Sequence, residues 1–462
     1  MKILNSSIFV SLLVIVALAT LAYGTVHQPT LALFYLVMTA VAIIWLIAGW
    51  IKGELTVSRH VFQVPLIASA IYALIQTIPF GHIAEIAGIS GIPRTLSLSP
   101  FDSTMSALHM LVLALFLGLM LATIDRAKRI EKIVNFILIF GFAYSFFAIL
   151  QSFLSPTRIY GVLERLSPFG SFVNRHNFAA FIEMTIAVPL GMLMSGAVRR
   201  DRRLFYITAV VWMGIALLMS GSRGGLVAML AGVGLIFVLT TRAHGKKKKV
   251  ILIAVTAVTI IVIVTGAITI GGETSLSRFA ETAEAGDVTT DRLQIWTVTL
   301  KVIASHLPFG AGIGAFGQAY TPFDTSNGLS RVEQAHNDYL QVLADAGLVG
   351  AVIAAGFLYS VFVTIRRNSR VENGLRRGVA VGAAAGIFSI LVHSLFDFVL
   401  HTTAVTLMFI VLLSLLAACG REYEDDVLDL EGKQHRHRRR KRTNVTPLES
   451  QGNVRIGRQH DH

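Results

Sequence analysis

The stretch EQAHNDYLQVLADAGLVGAVIAAGFLYSVFVTI, residues 333–365, passes from a polar cluster directly into a long apolar run. As a helix, its apolar part is long enough to cross the ~30 Å hydrocarbon core of a bilayer. Glu333, His336 and Asp338 stand at the mouth of that helix. Ionisable groups in such a place are costly unless they are paired or functional. Upstream, from Gly271, runs the one sizeable water-compatible segment inside an otherwise apolar chain. A loop meeting a membrane span is therefore the pattern to test along the rest of the sequence.

Composition agrees with it. The 462 residues are 54% hydrophobic and only 15% charged, against about 25% charged in soluble domains. Polar breaks divide the apolar residues into about twelve spans. We read them as Ile8–Tyr23, Leu31–Trp50, Val61–Pro79, Met105–Thr123, Ile133–Leu154, Phe178–Ala197, Leu204–Ser220, Leu226–Thr241, Val250–Ile270, Tyr339–Ile365, Gly378–Phe396 and Val399–Cys419. The fold class expected is an all-α integral membrane bundle over residues 1–420, with a long outer loop at 271–338 and a charged tail at 421–462. The first span reads as an anchor, although Ala17-Leu18-Ala19 resembles a signal-peptidase site.

The net charge of +13 does not point to nucleic acid, because most Lys and Arg fall between spans and in the tail. With the N-terminus in the cytoplasm, the basic segments around Arg126, Arg199, Lys246 and Arg366 all lie inside. Both termini are then cytoplasmic. The long loop, the turn at Arg223 and the loop Ser155–Asn177 share the outer face. The single cysteine, Cys419, excludes an intrachain disulfide. Gly378, Gly382 and Gly386 recur every fourth residue, a spacing that favours close helix packing within the chain.

Outward arginines need a reason, since the orientation rule disfavours them. Arg223 sits in Gly221-Ser222-Arg223-Gly224-Gly225, where free amides at a helix start would favour an anion. Arg292 opens a surface helix whose apolar residues Leu293, Trp296, Leu300 and Ile303 recur at three- and four-residue steps. His336 supplies a group able to take a proton near neutral pH. Gly312-Ile313-Gly314-Ala315-Phe316-Gly317 matches GxGxxG but follows no strand, so we read it as a flexible, closely packed loop. No metal motif or Ser-nucleophile elbow is present. Two arginines holding a diphosphate and a histidine activating a hydroxyl would suit a lipid-diphosphate-linked sugar donor.

At these residues the chain resembles the O-antigen ligase and polymerase superfamily. The matching pieces are Ser220 to Gly225, Arg292-Leu293-Gln294-Ile295-Trp296 leading to Pro308-Phe309-Gly310-Ala311-Gly312, His336 to Gln341, and Gly347-Leu348-Val349-Gly350. Gly170 to Asn177 is a weaker match, and Arg175-His176 departs from the Asn-Pro-Asn often found there. The resemblance covers roughly residues 165–410. It implies a C-type glycosyltransferase of the bacterial inner membrane with a long periplasmic loop. The donor would be an undecaprenyl-diphosphate-linked glycan, and the acceptor lipid A-core or a growing glycan. It implies no cofactor and no required metal. Arg223, Arg292 and His336 take the catalytic roles, and Arg175, Asn177, Asn337 and Asp338 are expected to bind substrate. A transporter is the rival class. It would show two related halves and mid-membrane charges, and we find no convincing internal repeat.

Overall fold

A computed structural model describes residues 2–55, 57–79, 84–86, 89–92, 95–241, 287–324, 331–421 and 423. The expected span Val250–Ile270, the first part of the long loop and the tail beyond Tyr423 lie outside the described residues. The described chain is built from helices, with two short antiparallel hairpins at Ala84–Ile92 and Arg158–Glu164. The helices are α1 (Lys2–Leu21), α2 (Gln28–Lys52), α3 (Gln63–Gln76), α4 (Pro100–Thr123), α5 (Ala127–Leu154), α6 (Arg175–Met194), α7 (Arg203–Met219), α8 (Arg223–Thr241), α9 (Asp287–His306), α10 (Phe316–Tyr320), α11 (Asp338–Asn368), α12 (Gly374–His393) and α13 (Thr403–Cys419).

Among the described residues, nine helices are long and apolar enough to cross a membrane. They are α1, α2, α4 to α8, α11 and α12, with α7 extended back to Arg200. This makes the chain a multi-pass membrane protein by length and composition. Two expected spans are shorter than their apolar runs, because α3 and α13 fall in the 10–17-residue class. Each is curtailed where polar side chains are needed. Gln76, at the end of α3, is buried and spends its amide on a neighbouring loop. Residues 395–402, ahead of α13, carry the candidate site described below.

The core of the bundle is the pairing of α6 with α12. Helix α6 is buried continuously from Asn177 to Pro189, so it has no polar face to show. The glycine stripe faces it. A Cβ on Gly382 would lie 2.6 Å from Val188 Cα, and one on Gly191 only 2.4 Å from Gly382 Cα. Gly378 meets Ala197, and Gly386 meets Leu412 of α13 and Met184. The stripe is therefore spent within the chain, as its spacing suggested. Gly382→Ala is expected to lower stability by about 1–3 kcal/mol through overpacking. A fall in the thermal unfolding midpoint of the purified protein in detergent would show it.

Helix α11 breaks at Gly347, whose φ of 56° and ψ of −143° are open to glycine alone. The loop Leu307–Gly314 fills the break. Leu348 N–H donates to Pro308 O at 2.8 Å, Ala311 N–H to Ala344 O at 2.8 Å, and Gly312 N–H to Asp345 O at 3.0 Å. Gln76 of α3 joins them. Its Nε2 donates to Phe309 O and Asp345 O, and its Oε1 accepts from Ile313 N–H at 3.0 Å. Carbonyls and amides released by the kink are thus re-paired without water. The GxGxxG stretch is closely packed, as expected, but its packing leaves it no room to be flexible. Gly312 in it and Gly310 just before it let backbone meet backbone, since Cβ positions there would fall 2.8 Å from Ser97 Cα and 2.4 Å from Asp345 O.

Helix α9 packs on this assembly by a face that includes Ile303 but is otherwise turned from the one its spacing indicated. Val298, Thr299 and Val302 are buried. Val298 and Val302 cluster with Phe316, Tyr320, Ala335 and Ala344. Leu293 and Leu300 point away, at 59% and 56% exposure. The helix is apolar on two sides, so the three- and four-residue steps traced only one of them.

Candidate functional site

One carboxylate gathers two of the sequence-predicted residues. Asp397 lies in the link between α12 and α13, with its side chain 3% exposed. Its Oδ2 accepts from Arg292 Nη2 at 3.3 Å, and its Oδ1 from His336 Nδ1 at 3.1 Å. The backbone N–H of Phe398 also donates to Oδ1, at 2.9 Å. Burial by itself would raise the Asp397 carboxyl. The His336 hydrogen bond and the neighbouring Arg292 guanidinium outweigh it and hold the carboxyl well below the usual range. Asp397 is therefore a fixed negative charge at neutral pH.

The pairing sets what its partners can do. With Nδ1–H given to Asp397, the His336 ring keeps Nε2 for accepting a proton. The ring is 31% exposed and stands edge-on to Phe398 at 4.7 Å. His336 has a φ of 50°, a left-handed conformation unusual for a residue with a side chain. Strain of this kind is held in place by surrounding structure, and here Asn337 does the holding. Its Oδ1 accepts from Tyr339 N–H and Leu340 N–H, capping α11, while its Nδ2 donates to Leu395 O at 3.0 Å. Arg292 is 23% exposed and spends one bond on Asp397. A guanidinium has five N–H donors, so others remain for an anion.

The turn that carries Arg223 lies on a second side of the site. It is the first residue of α8, and its side chain is exposed. The glycines beside it serve packing rather than free amides. Gly225 N–H donates to Ser222 Oγ at 3.2 Å, and a Cβ there would meet Ala179 at 2.7 Å. Gly224 lies against His393, whose Nε2 would be 3.1 Å from a Cβ. Ser222 Oγ is also 2.9 Å from His176 Nδ1. His176 and His393 both lie within electrostatic reach of Asp397. The turn carrying Arg223 is thus docked on the two histidines that flank the shared carboxylate.

The residues expected to bind substrate are placed less uniformly. Arg175 and Asn177 open α6 beside His176, with Asn177 buried and Arg175 partly so. Asn337 is occupied as the cap of α11. Asp338, with 11% of its side chain exposed, pairs with His401 Nδ1 at 3.2 Å and accepts from Leu400 N–H. These two side chains hold the site's backbone together.

Several polar residues were passed over in the sequence. His393, Asp397 and His401 recur at four-residue steps through the end of one apolar run, the short link and the start of the next. Three ionisable groups between two apolar runs were a legible signal. Glu183, inside α6, pairs with His393 Nδ1 at 3.1 Å, both side chains 0% exposed. A single acid within an apolar run predicts such a buried partner but does not say which residue it is. Among the described residues, no three His, Cys, Asp or Glu side chains come together as a metal site would need.

The arrangement offers a cationic surface beside a proton-accepting imidazole, at the helix ends of a membrane bundle. Residues 208–355 match the O-antigen ligase family model. The resemblance read in the sequence is borne out over that stretch, which includes Arg223, Arg292 and His336. The O-antigen ligase match is narrower than the 165–410 expected, and Glu183, His393 and Asp397 lie outside it. No curated protein matches the chain.

Proposed function

We propose that this protein is a glycosyltransferase of the C type in the bacterial inner membrane, with about twelve spans and both termini cytoplasmic. On this reading it transfers a glycan from undecaprenyl diphosphate to an acceptor hydroxyl, that of lipid A-core or a similar acceptor, on the periplasmic face. The observation that carries the reading is the Arg292–Asp397–His336 group, which pairs an anion-binding cation with an oriented base. Arg223 and Arg292 take the donor diphosphate and neutralise charge as it leaves with the lipid. His336 Nε2 accepts the acceptor's proton as the hydroxyl oxygen bonds to the sugar carbon. The polyprenyl tail lies between helices.

A polymerase of the same superfamily would use the same donor chemistry and differ in its acceptor. A null strain separates the two on a carbohydrate-stained gel. Accumulated free lipid-linked polymer indicates a ligase, and single capped repeats indicate a polymerase.

The residue assignment has its own check. Arg223→Ala, Arg292→Ala and His336→Ala are each expected to insert normally and to lose transfer, with the arginines costing about 10²–10³-fold. Retained activity in all three variants would remove the assignment, whatever the family.

A further inference from the structure

A second histidine–carboxylate pair stands beside the first and has no part in the chemistry above. The segments that meet at the site run past each other. His336 reaches Asp397, and two residues on, Asp338 reaches His401. Phe398 separates the two imidazoles, 4.7 Å from one ring and 6.3 Å from the other. The His401 side chain is 40% exposed, so the free edge of its ring is accessible. Its Nδ1 is taken by Asp338, and its Nε2 has no protein partner among the described residues.

The polar lining continues below it. His109 of α4 and Asp345 of α11 lie within electrostatic reach of His401. Tyr35 of α2 is hydrogen-bonded to His109 Nδ1 at 3.0 Å. Tyr35 is seven residues and His109 nine residues inside their helices. At 1.5 Å per residue, the lining therefore runs ~10–14 Å below the end of the bundle. Tyr35 and His109 are partly accessible, while neighbouring Leu33, Leu36, Leu108 and Leu111 are exposed on the outer faces of α2 and α4. The polar streak thus adjoins surface fit for lipid. Ionisable and hydrogen-bonding groups at this depth are expensive to keep without use.

We infer that His401, His109 and Tyr35 line a crevice that binds the sugar hydroxyls of a membrane-borne acceptor. It would receive the acceptor from the side and present one hydroxyl to His336. This rests on the transferase reading above. The chemistry fits, because imidazole and phenol groups donate and accept hydrogen bonds to hydroxyls. The diphosphate stays with the arginines on the other side of Phe398.

The test uses the full-length protein in nanodiscs, undecaprenyl-diphosphate-linked glycan as donor and lipid A-core as acceptor. His401→Gln and His109→Gln are each expected to raise the KM for lipid A-core about tenfold, with donor KM unchanged. A purely structural role would instead lower the unfolding midpoint and kcat without favouring either substrate. A binding readout runs beside it: carbethoxylation of His401 by diethyl pyrocarbonate, followed by mass spectrometry. Lipid A-core should slow this labelling and undecaprenyl diphosphate should not. Equal labelling with and without lipid A-core, or acceptor KM unchanged in both variants, overturns the inference. Absence of any transfer by the wild-type protein would instead count against the transferase reading, and the labelling result would still decide the crevice.

Discussion

Asp397→Asn is expected to lower glycan transfer by about 10³–10⁴-fold, the upper end for loss of an oriented general base. The amide keeps the shape of the carboxylate but changes two things together. It no longer fixes His336 with Nδ1 protonated, because an amide can donate to that nitrogen as readily as accept from it. It also leaves Arg292, only 23% exposed, without its counter-charge. Initial rates of the purified variant in nanodiscs, compared with His336→Ala, provide the measurement. A rate near wild type would show that the shared carboxylate is dispensable. The same substitution has a pH signature. A carboxyl held below its ordinary value contributes stability that is complete above about pH 3.9. That contribution is lost as pH falls through the folded-state value. The difference in unfolding midpoint between wild type and Asp397→Asn should therefore be present at about pH 5 and shrink in stronger acid.

Gly347→Ala is expected to cost at least about 3 kcal/mol and to reduce the yield of folded protein sharply. Two penalties coincide there. The backbone occupies a region closed to residues with side chains, and a Cβ would fall 2.2 Å from Pro308 O and 2.7 Å from Gly310 N. Neither neighbour is a side-chain end that can swing aside; both are main chain already committed to the kink. Monodisperse protein by size exclusion and the unfolding midpoint in detergent report the effect. Gly356→Ala, on the same helix with nothing within 4 Å of its Cβ, serves as the matched control. An unchanged midpoint in Gly347→Ala would mean that loop 307–314 does not depend on the break.

The membrane fold was legible because the bilayer imposes length, and length is written directly in the apolar runs. The boundaries that slipped are informative. Val61–Pro79 and Val399–Cys419 read as full spans because hydropathy does not register that α3 ends at Gln76, or that residues near Asp397 leave the helix, for polar work. Of the candidate site, Arg223, Arg292 and His336 were found by being out of place: cations facing outward, and a histidine at a re-entry point. The carboxylate shared by Arg292 and His336 was not. Asp397 sits beyond them in sequence, 61 residues from His336 and 105 from Arg292. Nothing local in the chain measures that closure. Asn337 and Asp338 look functional by their adjacency to a base, a signal that a structural role shares. Their hydrogen bonds show that the same polarity is spent on capping α11 and pinning the link to α13.

The glycine contacts between α6 and α12 bear on this arrangement. Where Gly191 meets Gly382, main chain rests on main chain, with no rotamer in between to yield or refill. A joint of that kind transmits position without slack. Asp397 follows four residues after its end, so its carboxylate acts as a datum: the place of Arg292 and His336, brought in by separate helices, is gauged from the rigid pair behind it.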